Sequence, residues 1–139
     1  MSPFPETPAS GSPESSGTAV SAEARSDQPI SLNVRALDGG VAVIVAGEVD
    51  MVTTPPLRDC VQEQIGEQPG VLVLDLSGVN FLGSSGLAVL VETLEECRAQ
   101  EIGLRLVCSS REVVRPMEAT GLTELFEVYS DLESAIASI

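Results

Sequence analysis

Residues 78–86, GVNFLGSSG, carry the chain's most reactive-looking arrangement: two hydroxyls between glycines, just ahead of an apolar helical pattern. Three chemistries fit such a segment. GVNFLGSS has the spacing of a phosphate-binding G-x-x-x-x-G-K-[ST] loop, but Ser84 stands where the lysine must supply positive charge. Val79, Phe81 and Leu82 between the glycines read as residues built for burial rather than for wrapping a nucleotide. GSSG falls one residue short of G-x-S-x-G, and the chain has no histidine to activate a serine, so a Ser-His hydrolase is excluded. The third chemistry is acceptance of a phosphoryl group by Ser84 or Ser85. A helix N-terminus exposes unpaired N–H groups and a positive dipole end, so it tolerates an added phosphate. The alternative is that one serine simply caps the helix. Both readings stand, because adjacent serines allow one to cap while the other faces water.

The elements that must position these serines follow from periodicity. SLNVRAL (31–37) alternates like a half-exposed strand, DGG makes a tight turn, and VAVIVAGEV (41–49) is a second strand. Thr54 then reads as an N-cap with Pro55 at the first helical position, and Leu57, Val61 and Ile65 form a stripe with Cys60 beside them. Gly66 and Pro69 end that helix. VLVLDL (71–76) is apolar on both faces, as a central parallel strand is, and an opening loop containing Val79, Phe81 and Leu82 follows. Leu87, Leu90, Val91 and Leu94 define the next helix, which runs to about Gln100. LRLVC (104–108) is a further strand, and Ser110 caps a third helix that Pro116 interrupts and Gly121 stops. LFEVYS is the last strand; Ser130 and Glu133 form a capping box for a final helix with the stripe Leu132, Ala135, Ile136 and Ile139. The order β-β-α-β-α-β-α-β-α predicts an α/β fold, a mixed sheet with helices packed on it, because β-α-β crossovers require parallel neighbours.

Composition narrows the function further. The chain has 139 residues and a formal charge of −14, which repels phosphate backbones and anionic lipid; neither nucleic acid nor a membrane surface is expected as a partner, whereas a basic protein is. Absence of histidine also removes the commonest general base and most zinc sites, so no catalytic residue, metal or cofactor is assigned. Cys60, Cys97 and Cys108 are widely spaced and odd in number, which fits reduced packing thiols in a cytoplasm. No apolar run approaches the ~20 residues of a membrane span, and the N-terminus is not signal-like; a cytoplasmic location is expected. Residues 1–28, rich in Ser, Pro and Glu, cannot offset their ordering entropy by burial and read as a disordered tail, leaving residues 29–139 as one domain.

VLVLDLSGVNFLGSSGLAVLVETLEECRAQEIGLRLVC, followed by REVVRPMEATGL, resembles the anti-sigma factor antagonists, the small stand-alone STAS domains; GEVDMVTTPPL (47–57) is similar to their upstream signature. The resemblance covers roughly residues 30–139. It implies a STAS fold and a protein that is not an enzyme. Such a protein binds an anti-sigma factor with a GHKL-type serine kinase fold and thereby frees a sigma factor. Phosphorylation by that kinase switches it off, and a serine phosphatase restores it. Carried over residue by residue, Ser84 is the implied phosphoacceptor and Ser85 the second choice, its neighbour and cap. Gly86 is the small residue allowing close approach, and Asp50, flanked by Thr53 and Thr54, lies near the partner surface. Many members carry Asp before the phosphoserine; Gly83 stands there in this chain, removing a charge beside the acceptor. A reading of another class is a ligand-sensing or scaffold STAS module in a larger signalling assembly, without phosphorylation.

Overall fold

The computed structural model describes residues 30–137 and Ile139. The expected tail, residues 1–28, and the domain boundary after it lie outside the described residues. The elements run β1 (Ile30–Leu37), β2 (Gly40–Val49), α1 (Thr54–Gly66), β3 (Val71–Leu82), α2 (Ser84–Ala99), β4 (Gly103–Val107), α3 (Arg111–Ala119), a 3-10 turn (Leu122–Glu124), β5 (Glu127–Tyr129) and α4 (Leu132–Ile136). Among the described residues the strands form one five-stranded sheet in the order β1-β2-β3-β4-β5. β1 and β2 pair antiparallel, and every later pair is parallel, which gives the mixed sheet expected from the element order.

Two apolar layers sandwich this sheet. On one face Val41, Val43, Val45, Leu72, Leu74 and Leu76 meet the inward sides of α1, α2 and α3. On the other, Ala42, Val73 and Val107 are covered by α4 through Ala135, Leu132 and Ile136. Burial of both faces explains why VLVLDL reads as an unbroken apolar run. The stripe of α2 is rotated from the expected one. Gly86, Val89, Leu90, Thr93, Leu94 and Cys97 are buried, whereas Val91 and Leu87 lie at its margin.

Three local expectations are corrected. Helix α1 begins at Thr54 itself, with Thr53 in the cap position. Ser130 and Glu133 form no capping box; the Asp131 carboxylate caps α4 by accepting the Ser134 amide at 2.7 Å, which holds its pKa below the ordinary carboxylate range. The last strand is short, Glu127–Tyr129, and Leu125 is exposed, because a 3-10 turn consumes residues 122–124. Pro116 lies inside α3, which is tolerated in a helix that ends at Ala119, and Gly121 follows with a left-handed φ of 76°.

All three cysteines are free thiols, as expected. Burial, reinforced by Asp75, pushes the Cys108 thiol up to about 11. Burial and Glu96 do the same for Cys97. A folded-state pKa above the ordinary 9.0 means that the folded protein holds these protons after the unfolded chain has lost them. Their stabilising effect is complete below pH 9 and is lost as pH rises towards 11. Urea midpoints are therefore expected to fall steadily between pH 9 and 11, and less steeply in Cys108→Ala measured against its own neutral-pH value. A flat profile over that range contradicts the assignment.

Candidate functional site

The serine pair is built by the far end of β3. Residues 77–82 are strand, not the opening loop the sequence led one to expect. β3 continues alongside β2 to the pair Val49↔Leu82, with register shifts between Ile44 and Ala46 and between Gly47 and Glu48. Two glycines make this run possible. Gly47 adopts φ 106°, accessible essentially to glycine. At Gly78 a Cβ would stand 2.9 Å from the Ala46 Cβ. Such bulges sharpen local twist and re-aim the residues that follow. Val79 and Leu82 turn inward, but Phe81, expected to be buried, is 49% exposed.

Because Val49 and Leu82 are register partners, the residues after each strand leave the sheet side by side. The Gly83 amide donates to the Val49 carbonyl at 2.9 Å, clamping the start of α2 to the end of β2. Segments more than thirty residues apart in sequence thereby form one surface. On the β2 side, Asp50 organises the turn into α1. Its Oδ1 accepts the amides of Val52 at 3.0 Å and Thr53 at 3.1 Å, an Asx-type turn. The buried Thr53 hydroxyl accepts the Asp50 amide at 2.8 Å and donates to the Glu48 carbonyl at 2.8 Å. Thr54 is buried as well, its hydroxyl directed at the Met51 carbonyl at 3.4 Å.

On the β3 side, Gly83 occupies the cap position of α2 with extended backbone, and no side chain caps the helix. Ser84 and Ser85 are its first two residues, so the expectation that Ser85 caps the helix is corrected: once Gly83 takes the boundary, both hydroxyls lie within the first turn. Ser84 is exposed and Ser85 half-buried. Gly86 is buried, and a Cβ there would meet Leu82 Cδ1 at 2.6 Å and Val49 Cγ1 at 2.7 Å, so the helix can lie against the β2–β3 end only without a side chain. Ser110 plays a similar clamping part. It stands at the cap position of α3, but its hydroxyl donates to the Val79 carbonyl at 3.1 Å, tying the start of that helix to β3.

The structure thus gathers Asp50, Thr53, Thr54, Gly83, Ser84, Ser85 and Gly86 at one end of the sheet, at the carboxyl ends of β2 and β3. Ser84 is exposed and Asp50 half-buried, its carboxylate turned onto its own turn, whereas Thr53, Thr54 and Gly86 are buried beneath them. Sequence reasoning missed the apolar rim. Met51 and Val52 are 79% and 77% exposed beside Asp50, and Phe81 is exposed beside Gly83. The available signal was two apolar residues in a turn between Asp50 and Thr53. Among the described residues no group of His, Cys, Asp and Glu side chains is arranged to hold a metal ion. The Ser84 hydroxyl is thus presented to solvent on the first turn of α2.

The STAS domain profile matches residues 31–135. The chain belongs to the STAS domain family. Its relatives include the anti-sigma-F factor antagonist RsfB of Mycobacterium tuberculosis, 35% identical over 113 residues that cover 80% of this chain and 92% of that protein. RsfA, an anti-sigma-F factor antagonist of the same species, is 31% identical over 103 residues, 73% of this chain and 80% of its own. A crystal structure of an anti-sigma factor antagonist from Mycobacterium paratuberculosis superposes with a TM-score of 0.75 at 38% identity, covering 79% of this chain and 93% of that one. In this STAS domain Gly83 is the residue before the serine pair. A Cβ on Gly83 would lie 3.3 Å from Phe81 Cε2, the far end of an exposed side chain.

Proposed function

We propose that this protein is an anti-sigma factor antagonist: a cytoplasmic regulator, not an enzyme, that binds an anti-sigma factor with a serine-kinase fold and so frees a sigma factor. The observation that carries this reading is the placement of Ser84. It is exposed on the first turn of α2, within a surface whose other half is the Asp50 turn. The names of the relatives support the same function. Ser84 is the phosphoacceptor. Its Oγ attacks the γ-phosphorus of ATP held by the partner, the bond to ADP breaks, and the hydroxyl proton passes to a base on the kinase. A serine phosphatase returns the hydroxyl by hydrolysis. The added charge of about −1.5 to −2 does not unfold the domain, because the helix dipole and free N–H groups of the first turn accommodate it. Beside the exposed apolar side chains of Met51, Val52 and Phe81 it must be desolvated for the partner to pack, and that cost displaces the partner.

The deciding experiment is binding of the wild type, Ser84→Ala and Ser84→Asp to the cognate anti-sigma factor, together with mass spectrometry after incubation with that factor and ATP. Ser84→Ala is expected to bind within about threefold of wild type and to take up no phosphate. Ser84→Asp is expected to bind about 10- to 100-fold more weakly, or about 1.4–2.8 kcal/mol. Equal affinities for all three proteins, or phosphate on a residue other than Ser84, would overturn the switch.

A further inference from the structure

The sheet has two edges of very different character. β5 is a three-residue strand, an edge too short to template another strand. β1 has eight residues, and among the described residues no strand pairs with its outer side. Natural edges of this length are usually blunted by proline, lysine or a bulge. β1 has no proline, pairs with β2 without a register shift, and carries Arg35 as its single charge.

The face of β1 beside this edge is also unfinished. Leu32, Val34 and Ala36 pair with Val45, Val43 and Val41, so they lie on the helix-covered face of the sheet. Yet Val34 is 48% exposed and Ala36 is exposed. The cause is the position of α1, which leads from β2 to β3 and cannot reach over the outermost strand. Its flanks can be distinguished. Arg58 bridges Glu92 of α2 at 3.0 Å, marking the flank towards the sheet centre. Cys60, two residues on, projects about 200° further round the helix, on the flank towards β1. Gln64 and Glu67 follow on that flank; Cys60 and Gln64 are half-buried and Glu67 is exposed. Glu63 borders the flank, close enough to raise the Cys60 pKa alongside burial. The result is an open channel along α1 with a backbone edge that no described strand pairs, an exposed floor of Val34 and Ala36, and the exposed carboxylates of Glu63 and Glu67 on the helix above it.

We propose that this channel binds an extended basic peptide, which adds a sixth strand to β1 and directs its apolar residues onto Val34 and Ala36 and its cationic ones towards Glu63 and Glu67. Charge selects this occupant. A second copy brings another −14, and the chain's own residues 1–29 carry Glu6, Glu14, Glu23 and Asp27 against Arg25 alone. Both bring further negative charge to an acidic protein, whereas a basic strand is complementary to it. The channel is at the sheet edge and is separate from the serine surface at the carboxyl ends of β2 and β3.

The test uses the full chain and a fluorescent short peptide alternating valine and lysine, followed by anisotropy and by amide exchange. Saturable binding is expected, with added protection of the β1 amides. A peptide of the same charge with proline at alternate valines is expected to bind at least about tenfold more weakly, because it cannot form the ladder. Val34→Lys, at an exposed position, and the Glu63→Lys/Glu67→Lys pair are each expected to lose at least about tenfold, with unchanged thermal midpoints. Ser84→Asp is expected to bind the peptide like wild type, which separates this site from the proposed switch. The proposal is overturned by absence of saturable binding, by equal binding of the proline peptide, by protection elsewhere than β1, or by loss of binding in Ser84→Asp. Concentration-dependent dimerisation that Val34→Lys abolishes would assign the edge to a second copy instead.

Discussion

Gly86→Val is expected to lower stability by about 2–3 kcal/mol, the range for forcing extra methyl groups into a packed site. The first new atom alone would lie 2.6 Å from Leu82 Cδ1 and 2.7 Å from Val49 Cγ1. Leu82 can swing its terminal methyl aside. Val49 cannot, because it is β-branched and 1% exposed in a strand locked to β3. Helix propensity works in the opposite direction, since glycine inside a helix costs up to about 1 kcal/mol, but that gain is smaller than the overlap. The thermal midpoint is expected to drop by about 10 °C in a domain of this size. Gly86→Ala brings the same two Cβ contacts, offset by the full propensity gain and without valine's further methyl groups, and is expected to fall between wild type and the valine variant. Calorimetry of the three proteins checks this. A valine variant within 0.5 kcal/mol of wild type would mean that α2 can lift from the β2–β3 end, and that Gly86 does not set its position.

That position depends on strand pairing that local sequence rules underestimate. Periodicity reveals the β1–β2 hairpin, α1, the apolar start of β3, α2, β4 and the mixed sheet, because each has an apolar pattern matched to its own burial. Residues 77–82 fail the same test. Ser77, Gly78 and Asn80 read as loop formers because local propensity prices their isolated preferences and ignores the ladder that β2 offers. Gly78 is there to let the strands approach, not to break one. Phe81 was expected to be buried on hydrophobicity alone; the register shift after Gly47 places it opposite the exposed Glu48 instead. The family resemblance makes Ser85 the cap of α2, but the Gly83–Val49 bond accompanies a boundary at Gly83, ahead of both serines. The serine pair itself, and Asp50, were legible as types and spacing. Their meeting on one surface was not, because it follows from the single pair Val49↔Leu82.

The turn on the other half of that surface gives the second large effect. Thr53→Val, nearly isosteric, is expected to lower stability by about 2–3 kcal/mol because it removes a hydroxyl that serves two backbone groups at once. Thr53 is 2% exposed; its hydroxyl accepts from the Asp50 amide and donates to the Glu48 carbonyl, both at 2.8 Å. Valine leaves both part-buried groups without that partner in a site it fills with apolar methyls, and orphaning a polar group away from water costs up to about 1–3 kcal/mol. The damage is also positional. Glu48 and Asp50 bracket Val49, whose carbonyl holds the Gly83 amide, so loosening this turn loosens the seat of α2. Thr53→Ser keeps the hydroxyl and is expected to recover more than half of the loss, whereas a packing effect of the missing methyl would leave serine no better than valine. Affinity for the proposed anti-sigma factor partner supplies a further readout: under conditions where it remains folded, Thr53→Val should bind that partner more weakly than Thr53→Ser. A valine variant as stable as wild type, or a serine variant as weak as valine, would show that the Asp50 turn is held by its own Asx bonds and that Thr53 contributes only bulk.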